Sequence, residues 1–459
     1  MNDALLAAWS VTVARRESDA AVLDTRGAVQ RTFRDVEREA AEFADDLLRE
    51  FSLGEVIAIQ TGNHPGWLAL LLACLRRKLV VLPLERTISE HEREVACEIC
   101  HAAALIEGEE RVCLTRRSAD RVDWGDVNPI LLKLTSGTTA APRAIRFTSA
   151  QLLADAEQIC DTMAITDRDL NFGVIPVSHS YGFSNLITPL IVRGVPLVLS
   201  RDRMPRAVLD DLAHTRATVF AGMPVFYQAF CEIESLPEIP DLRLCISAGA
   251  PLPLPVAQKF REKFGQAIHS FYGSSECGGI CYDRDAPLLE PGFVGAAMNG
   301  VELELLDVDA PMTRIRVRSA AAGLGYFPEP DEARLDNGAY VPDDLLAPSG
   351  DGFRIAGRES DLINVAGKKV NPAEVEAALL AFDGVREAIV FGRRSALRNE
   401  EVAACIVADQ GVEQTALLDF CRRRLSGWQV PKRVFFLAEM PVTERGKISR
   451  RALAERFAG

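Results

Sequence analysis

Between Leu132 and Thr148 the chain reads "LKLTSGTTAAPRAIRFT", which sets Thr135, Ser136, Thr138 and Thr139 around Gly137 and follows them with Pro142 and Arg143. Backbone N–H groups in a turn rich in glycine and hydroxyls can form a concavity for an anion. The hydroxyls add donors, and the guanidinium adds a fixed positive charge. Phosphate is the natural guest of such a loop. A plain solvated turn has the same composition, so residue types alone leave both readings open. The GxxxxGK[ST] spacing of a Walker loop is absent from the stretch. A second stretch, "CEICH" at Cys97 to His101, has the spacing used to attach c-type haem. It sits in "ISEHEREVACEICHAAALI", whose alternation of charged and apolar residues suits a packed amphipathic helix better than haem or zinc binding.

The elements that must hold these residues follow from periodicity. The phosphate-type loop is preceded by an apolar strand, "PILLKL". "EVIAIQTG" predicts another strand, "HPGWLALLLACLRRK" a helix and "LVVLPL" a third strand. Strand candidates recur at "FGVIPVS", "VPLVLS", "ATVFAGMP", "LRLCISAGA" and "AIHSFYG", with helical stretches such as "PLPVAQKFREKF" between several of them. Strands alternating with helices imply an α/β architecture with largely parallel sheets. From about residue 301 the texture changes to "VELELLDVDAPMTRIRVRS", closely spaced strands of a more antiparallel or barrel-like unit. The glycine- and charge-rich "GDGFRIAGRESDLINVAGKKV" then separates a large region, 1–358, from a small α+β tail, 359–459. Asn371 and Pro372 there have the types of a helix cap and first helical position. A tail of that length can fold by itself and move about the junction.

Composition limits the partners. The chain has 459 residues, 48% of them hydrophobic, and a formal net charge of -13, which disfavours general affinity for nucleic acid or anionic membranes. "WLALLLACL" is too short to cross a bilayer and reads as a buried helix. The N-terminal residues lack the pattern of a secretory signal, so a cytoplasmic, reducing setting is expected. Most of the 11 scattered cysteines are then expected to be small core hydrophobes.

The opening loop resembles the TSGTTGxPKG phosphate loop of the adenylate-forming superfamily, which includes acyl-CoA and aryl-CoA synthetases. Further motifs agree in the same order. "PVSHSYGF" resembles the family's aromatic and histidine motif, with His179 at its histidine. "SAGAPLP" resembles the adenine-flanking segment and "FYGSSE" the family's YGxTE. "PDDLLAPSGDGFRIAGR" matches the TGD-to-GR segment, with Asp344 and Arg358 at its nucleotide-binding acid and arginine. "NVAGKKVNPAEVE" resembles the start of the mobile C-terminal domain, and "PVTERGKISRRAL" the terminal lysine motif, centred on Lys447. The chain departs from the pattern at Ala140 and Ala144, which stand at two family glycines. Arg143 replaces a lysine, Ser275 a threonine, and Pro342 and Asp343 the first residues of TGD. Arginine keeps the charge but presents a rigid fork, and alanine restricts φ.

The resemblance implies a large multi-sheet adenylating domain, a small mobile C-terminal domain and a two-step reaction. A carboxylate attacks the α-phosphorus of ATP, giving acyl-adenylate and pyrophosphate, and a thiol then displaces AMP. By the same resemblance Lys447 bridges the substrate carboxylate and the phosphate. Glu276, with Thr138, holds magnesium. Thr135, Ser136, Gly137, Thr138, Thr139 and Arg143 cradle the pyrophosphate. Tyr272, Gly273 and Ser275 with Ala248, Gly249 and Ala250 flank adenine, and Asp344 and Arg358 take the ribose. When the C-terminal domain rotates at Ser360, Lys447 leaves and the "AGKK" loop, with Gly367 and Lys369, faces the thiol channel.

His179, Tyr181, Met223, Phe226 and Gly278 would line the acyl pocket, an apolar set suited to a fatty or aromatic acid. The aspartate that amino-acid-activating relatives place near the histidine motif is missing from "HSYGFSNL". Coenzyme A is the expected thiol, and the phosphopantetheine of an acyl carrier protein is the alternative. A nucleotide-binding relative without turnover is a further one. For each residue taken singly an ordinary structural role is the commoner case, and His179 in particular could be a hydrogen-bonded core residue.

Overall fold

In the computed structural model the strand Val56–Gln60 is buried at every position and lies parallel to Val80–Pro83 on one side and Ala102–Glu107 on the other. The structure describes residues 3–135, 143–287, 290–336, 338–365, 368–395, 399–441 and 450–457. It divides into two units. Met1–Leu305, Arg316–Pro342 and Pro348–Arg354 form the first, and Leu306–Ile315, Asp343–Ala347 and Ile355–Gly459 form the second.

In the first unit the crossover helix Trp67–Arg76 is buried from Trp67 through Leu75, the buried helix expected from "WLALLLACL". Apolar residues all round this helix leave it no face for solvent, so it is enclosed within the unit. Outward from Val80–Pro83 the sheet continues through Leu131–Leu134, parallel, and then turns antiparallel at Ala144–Phe147 and Gly325–Phe327. Leu131–Leu134 and Ala144–Phe147 are the arms of a hairpin. Ser136, Gly137, Thr138 and Thr139, assigned above to the phosphate loop, lie outside the described residues.

A second sheet of the same unit runs parallel through Asn171–Gly173, Val219–Gly222, Leu244–Ser247 and Ile268–Ser274, before Gly278–Tyr282 returns antiparallel. The carboxyl ends of the last three parallel strands lead into "GMPVF", "SAGA" and "GSSE". Ligands of open α/β sheets bind beyond strand ends of this kind. The helix Glu90–Ile99 is N-capped by Ser89 in a capping box with Glu92. Cys97 is buried on it, as a packed amphipathic helix requires, Cys100 is buried at its C-cap, and burial pushes the Cys100 thiol up to about 12. All 11 cysteines are free and every one but Cys113 is buried, matching their expected role in the core.

The second unit contains an antiparallel pair, Val385–Ser395 with Asn399–Ala408, flanked by Ile363–Val365 and by the parallel strand Arg433–Phe436. Helices Pro372–Leu380 and Gln414–Arg422 close its core through Val375, Leu379, Leu417 and Cys421. Asn371 caps the first of these helices. Its Oδ1 accepts from Ala373 N at 3.1 Å, and its Nδ2 donates to Ala356 O at 2.6 Å. Gly357 lies beside it at φ +155, and a Cβ there would sit 2.6 Å from Asn371 Oδ1, so only glycine fits. No helix among the described residues is long and apolar enough to cross a membrane.

Asn371→Ala removes both bonds and should destabilise the second unit by about 1–2 kcal/mol. Urea unfolding followed by circular dichroism would check this, and a change of only a few tenths would contradict it.

Candidate active site

The site in the first unit grows from a turn. Ser274 ends the strand Ile268–Ser274, and its Oγ accepts from Glu276 N at 3.2 Å and Cys277 N at 3.3 Å. A serine hydroxyl that takes the next free N–H groups folds the chain back on itself and sets the direction of the side chain at Glu276. Gly278 follows at φ +68. Ser275 Oγ accepts from the Ser180 hydroxyl at 2.9 Å, which ties this turn to the histidine motif.

Glu276, half-buried, is fixed from a distant part of the sequence: the Tyr326 hydroxyl donates to its Oε1 at 3.1 Å. The Arg143 guanidinium lies over the Tyr326 ring, 4.2 Å from its centroid, and reaches Asp331 at 3.5 Å. An arginine stacked on a ring is held in one plane while its edge stays available for an anion. Burial and the neighbouring Glu276 carboxylate hold the Tyr326 hydroxyl well above the usual phenol range, so it stays a donor. Thr135 closes the neck of the hairpin, its N and Oγ1 both donating to Arg143 O, at 2.8 and 3.1 Å. Arg143, Thr135 and Glu276, chosen separately in the sequence, are therefore linked in one constellation through Tyr326.

Among the described residues Glu276 offers a carboxylate with one oxygen held by a neutral hydroxyl and the other without a hydrogen-bond partner in the structure. That donor set fits magnesium, which takes one or two carboxylates together with water and substrate phosphates. Thr138, its other expected ligand, lies outside the described residues.

His179 is exposed and caps the short helix Ser180–Gly182, its Nδ1 accepting from Tyr181 N at 3.1 Å. It is thus not a core histidine. Accepting at Nδ1 puts the proton of a neutral ring on Nε2. Tyr181 is buried and stacked on Phe271, and its hydroxyl stands 3.3 Å from Gly222 O and 3.2 Å from Ile246 O. Met223 is 39% exposed and lies against Gly249, which turns at φ +84. Phe226 packs among Phe220 and Phe230. Tyr272 and Ala248 are buried, and Gly273, Gly249 and Ala250 are exposed.

In the second unit Arg358 Nε donates to Asp344 Oδ1 at 2.9 Å. Asp344 opens the first strand of a hairpin, Asp344–Ser349, and Arg358 ends the second, Gly352–Arg358. Ser360 is exposed in the 3-10 turn Glu359–Asp361, and Lys369 is exposed on the strand Lys368–Val370. Gly367 and Lys447 lie outside the described residues. Arg450, three positions after Lys447, is clamped by Asp361 at 2.9 Å and by both Glu376 oxygens at 2.8 and 2.9 Å. Sequence reasoning passed over Arg450, as it did Tyr326 and Asp331. The arginine in "GKISRRAL" gave no signal, because its acidic partners lie 89 and 74 residues away in the chain.

The family model described as AMP-binding enzyme matches residues 10–327, and the one described as AMP-binding enzyme C-terminal domain matches residues 374–447. Feruloyl-CoA synthase of Amycolatopsis sp is 27% identical over 98% of this chain and 99% of its own. Long-chain-fatty-acid–CoA ligase of Bacillus subtilis (strain 168) is 30% identical, over 75% of this chain and 65% of its own. Among solved structures, ATP-bound MatB from Rhodopseudomonas palustris has the same fold, with a TM-score of 0.87 at 23% identity, covering 100% of this chain and 99% of that one.

Tyr326→Phe keeps the ring beneath Arg143 and removes only the hydroxyl on Glu276. The loss of one hydrogen bond to a charged group predicts about a tenfold fall in kcat/KM for ATP with little change in Tm. Steady-state kinetics at saturating acid would measure it, and an unchanged kcat/KM would refute the link.

Proposed function

Since the chain belongs to the AMP-binding enzyme family and is an AMP-forming acid–thiol ligase, we propose that it activates a fatty or aromatic carboxylic acid and transfers it to coenzyme A. The observation that carries this reading is the Arg143–Tyr326–Glu276 constellation, which brings a cation and a hard oxygen donor together on one ring. A carboxylate that approaches a triphosphate meets like charge, so a site for this reaction must supply positive charge and hold the reactants in line. When bound, magnesium would neutralise phosphate charge as pyrophosphate departs.

The chain's own residues are proposed to do the rest. Glu276 holds the cation, and Arg143 and Thr135, with Ser136, Gly137, Thr138 and Thr139, take the outgoing phosphates. Tyr272, Gly273 and Ser275 with Ala248, Gly249 and Ala250 flank adenine. Asp344 accepts the ribose hydroxyls, and Arg358, already bonded to Asp344, donates to the same sugar. Lys447 offsets the charge that builds between the acid and the α-phosphate. Ser360 is the hinge, and Gly367 and Lys369 line the approach of the thiol. The boundary between adenylating and mobile domains is proposed at 358 and 359.

His179, Tyr181, Met223, Phe226 and Gly278 are proposed to border the acid. Support for an uncharged acid comes from the buried, neutral surroundings of Tyr181 and from relatives named for feruloyl and long-chain fatty substrates. Coenzyme A is the acceptor in the names of these relatives, and a carrier-protein phosphopantetheine presents the same thiol arm. We place the reaction in the cytoplasm, where the ten buried thiols would stay reduced.

Pyrophosphate release on adding ATP, magnesium and a panel of fatty and aromatic acids tests the reading. Release with an uncharged acid, followed by a coenzyme A thioester, is expected. Thioester on carrier protein alone would move the acceptor, and no release with any acid would leave a binding protein. Lys447→Ala should abolish adenylate formation while sparing thiol transfer from preformed adenylate. Equal loss in both half-reactions would count against its role.

A further inference from the structure

A lysine lies in the core beside this site, and the reaction as described makes no use of it. Lys133, on the strand Leu131–Leu134, is 5% exposed. Its ammonium stands 4.7 Å from the Phe147 ring centroid and 5.4 Å from that of Phe183. Burial lowers its pKa, opposed by attraction to Asp155 and Glu276.

Asp155, on the helix Ser149–Met163, is 2% exposed. Its Oδ1 accepts from Gly279 N at 3.2 Å, while its Oδ2 is buried with no hydrogen-bond partner among the described residues. Gly278, at φ +68, makes room for this carboxylate, because a Cβ there would come 1.9 Å from Asp155 Oδ1. The backbone just after Glu276 is therefore seated on a buried acid. Isolated charges in the core cost several kcal/mol, and apolar residues of similar volume would fill such space without that cost. Retaining two such side chains in the core needs a reason beyond packing.

We propose that Lys133 and Asp155 are positioning residues: two buried polar side chains that together hold the Glu276–Gly279 turn and thereby aim the Glu276 carboxylate at the nucleotide's cation. Asp155 grips the turn through Gly279 N. Lys133, cushioned by two rings, balances the acid that does so. The inference rests on the reading of Glu276 as the magnesium carboxylate.

The test is equilibrium binding to the full chain by calorimetry, with ATP and magnesium as one probe and AMP without metal as the other. AMP lacks the outer phosphates that magnesium bridges, so it does not need an aimed Glu276. Lys133→Met and Asp155→Asn should each weaken magnesium–ATP binding by about tenfold and leave AMP binding unchanged. The double variant K133M/D155N keeps the Oδ1 acceptor and strands no charge, so its loss should fall short of the product of the single losses. Lys133→Gln replaces Lys133→Met if that variant does not fold.

Parallel weakening of both probes, no weakening of either, or losses that simply multiply would overturn the proposal. Glu276→Gln separates the two layers. If it weakens magnesium–ATP binding while the Lys133 and Asp155 variants do not, the pair's role falls and Glu276 keeps its own. If Glu276→Gln changes nothing, the reading of Glu276 falls, and the pair's role falls with it.

Discussion

A carboxylate intended for a cation must be kept from collapsing onto a nearby guanidinium, and the tyrosine at 326 meets that constraint. Its hydroxyl takes one Glu276 oxygen, and its face takes Arg143. The acid and the base thus share one ring without forming an ion pair with each other, and Arg143 turns instead to Asp331. Both side chains remain in partial burial, where their fields act more strongly than they would in bulk water. The Ser274 turn, the Thr135–Arg143 neck and the seat provided by Asp155 all fix backbone around this arrangement.

The second unit solves a different problem with similar means. Asp344 opens the first strand of a hairpin and Arg358 ends the second, so the pairing of the two strands brings them together at its open end, 2.9 Å apart. Asn371 ties the start of the following helix to Ala356, two residues before Arg358, and Gly357 gives the space for that contact. Arg450 fastens the last described helix to Asp361 and Glu376. Each device uses one polar side chain to join segments far apart in sequence. A hydrogen bond to a charged group contributes most where water cannot replace it.

Much of this is legible in the sequence. Alternating strands and helices gave parallel sheets because an apolar run of four to six residues followed by an amphipathic stretch has few other ways to bury itself. The Asn371–Pro372 cap, the buried Trp67–Arg76 helix and the packed "CEICH" helix followed from local chemistry that needs no partner. What stayed hidden were partners without local marks. Tyr326 lies 50 residues from Glu276, and nothing in "GLGYFPEP" signals a hydroxyl aimed at a carboxylate. Lys133 sits inside the apolar strand candidate "PILLKL", and Asp155 carries no mark of its own in the sequence. Only their burial, which depends on tertiary packing, reveals them. His179, at first open to a core reading, proved to be an exposed cap because its ring nitrogen serves Tyr181 N.

The central claim is that Glu276 presents its carboxylate to a metal ion while Tyr326 steadies it. The most direct measurement is a crystal of the full chain grown with manganese in place of magnesium and a non-hydrolysable ATP analogue, with the metal located by its anomalous scattering. We predict a metal about 2.1 Å from a Glu276 oxygen, octahedral in its ligands, with the Tyr326 hydroxyl still donating to the same carboxylate. A metal bound to the nucleotide phosphates with Glu276 turned away from it would contradict the account.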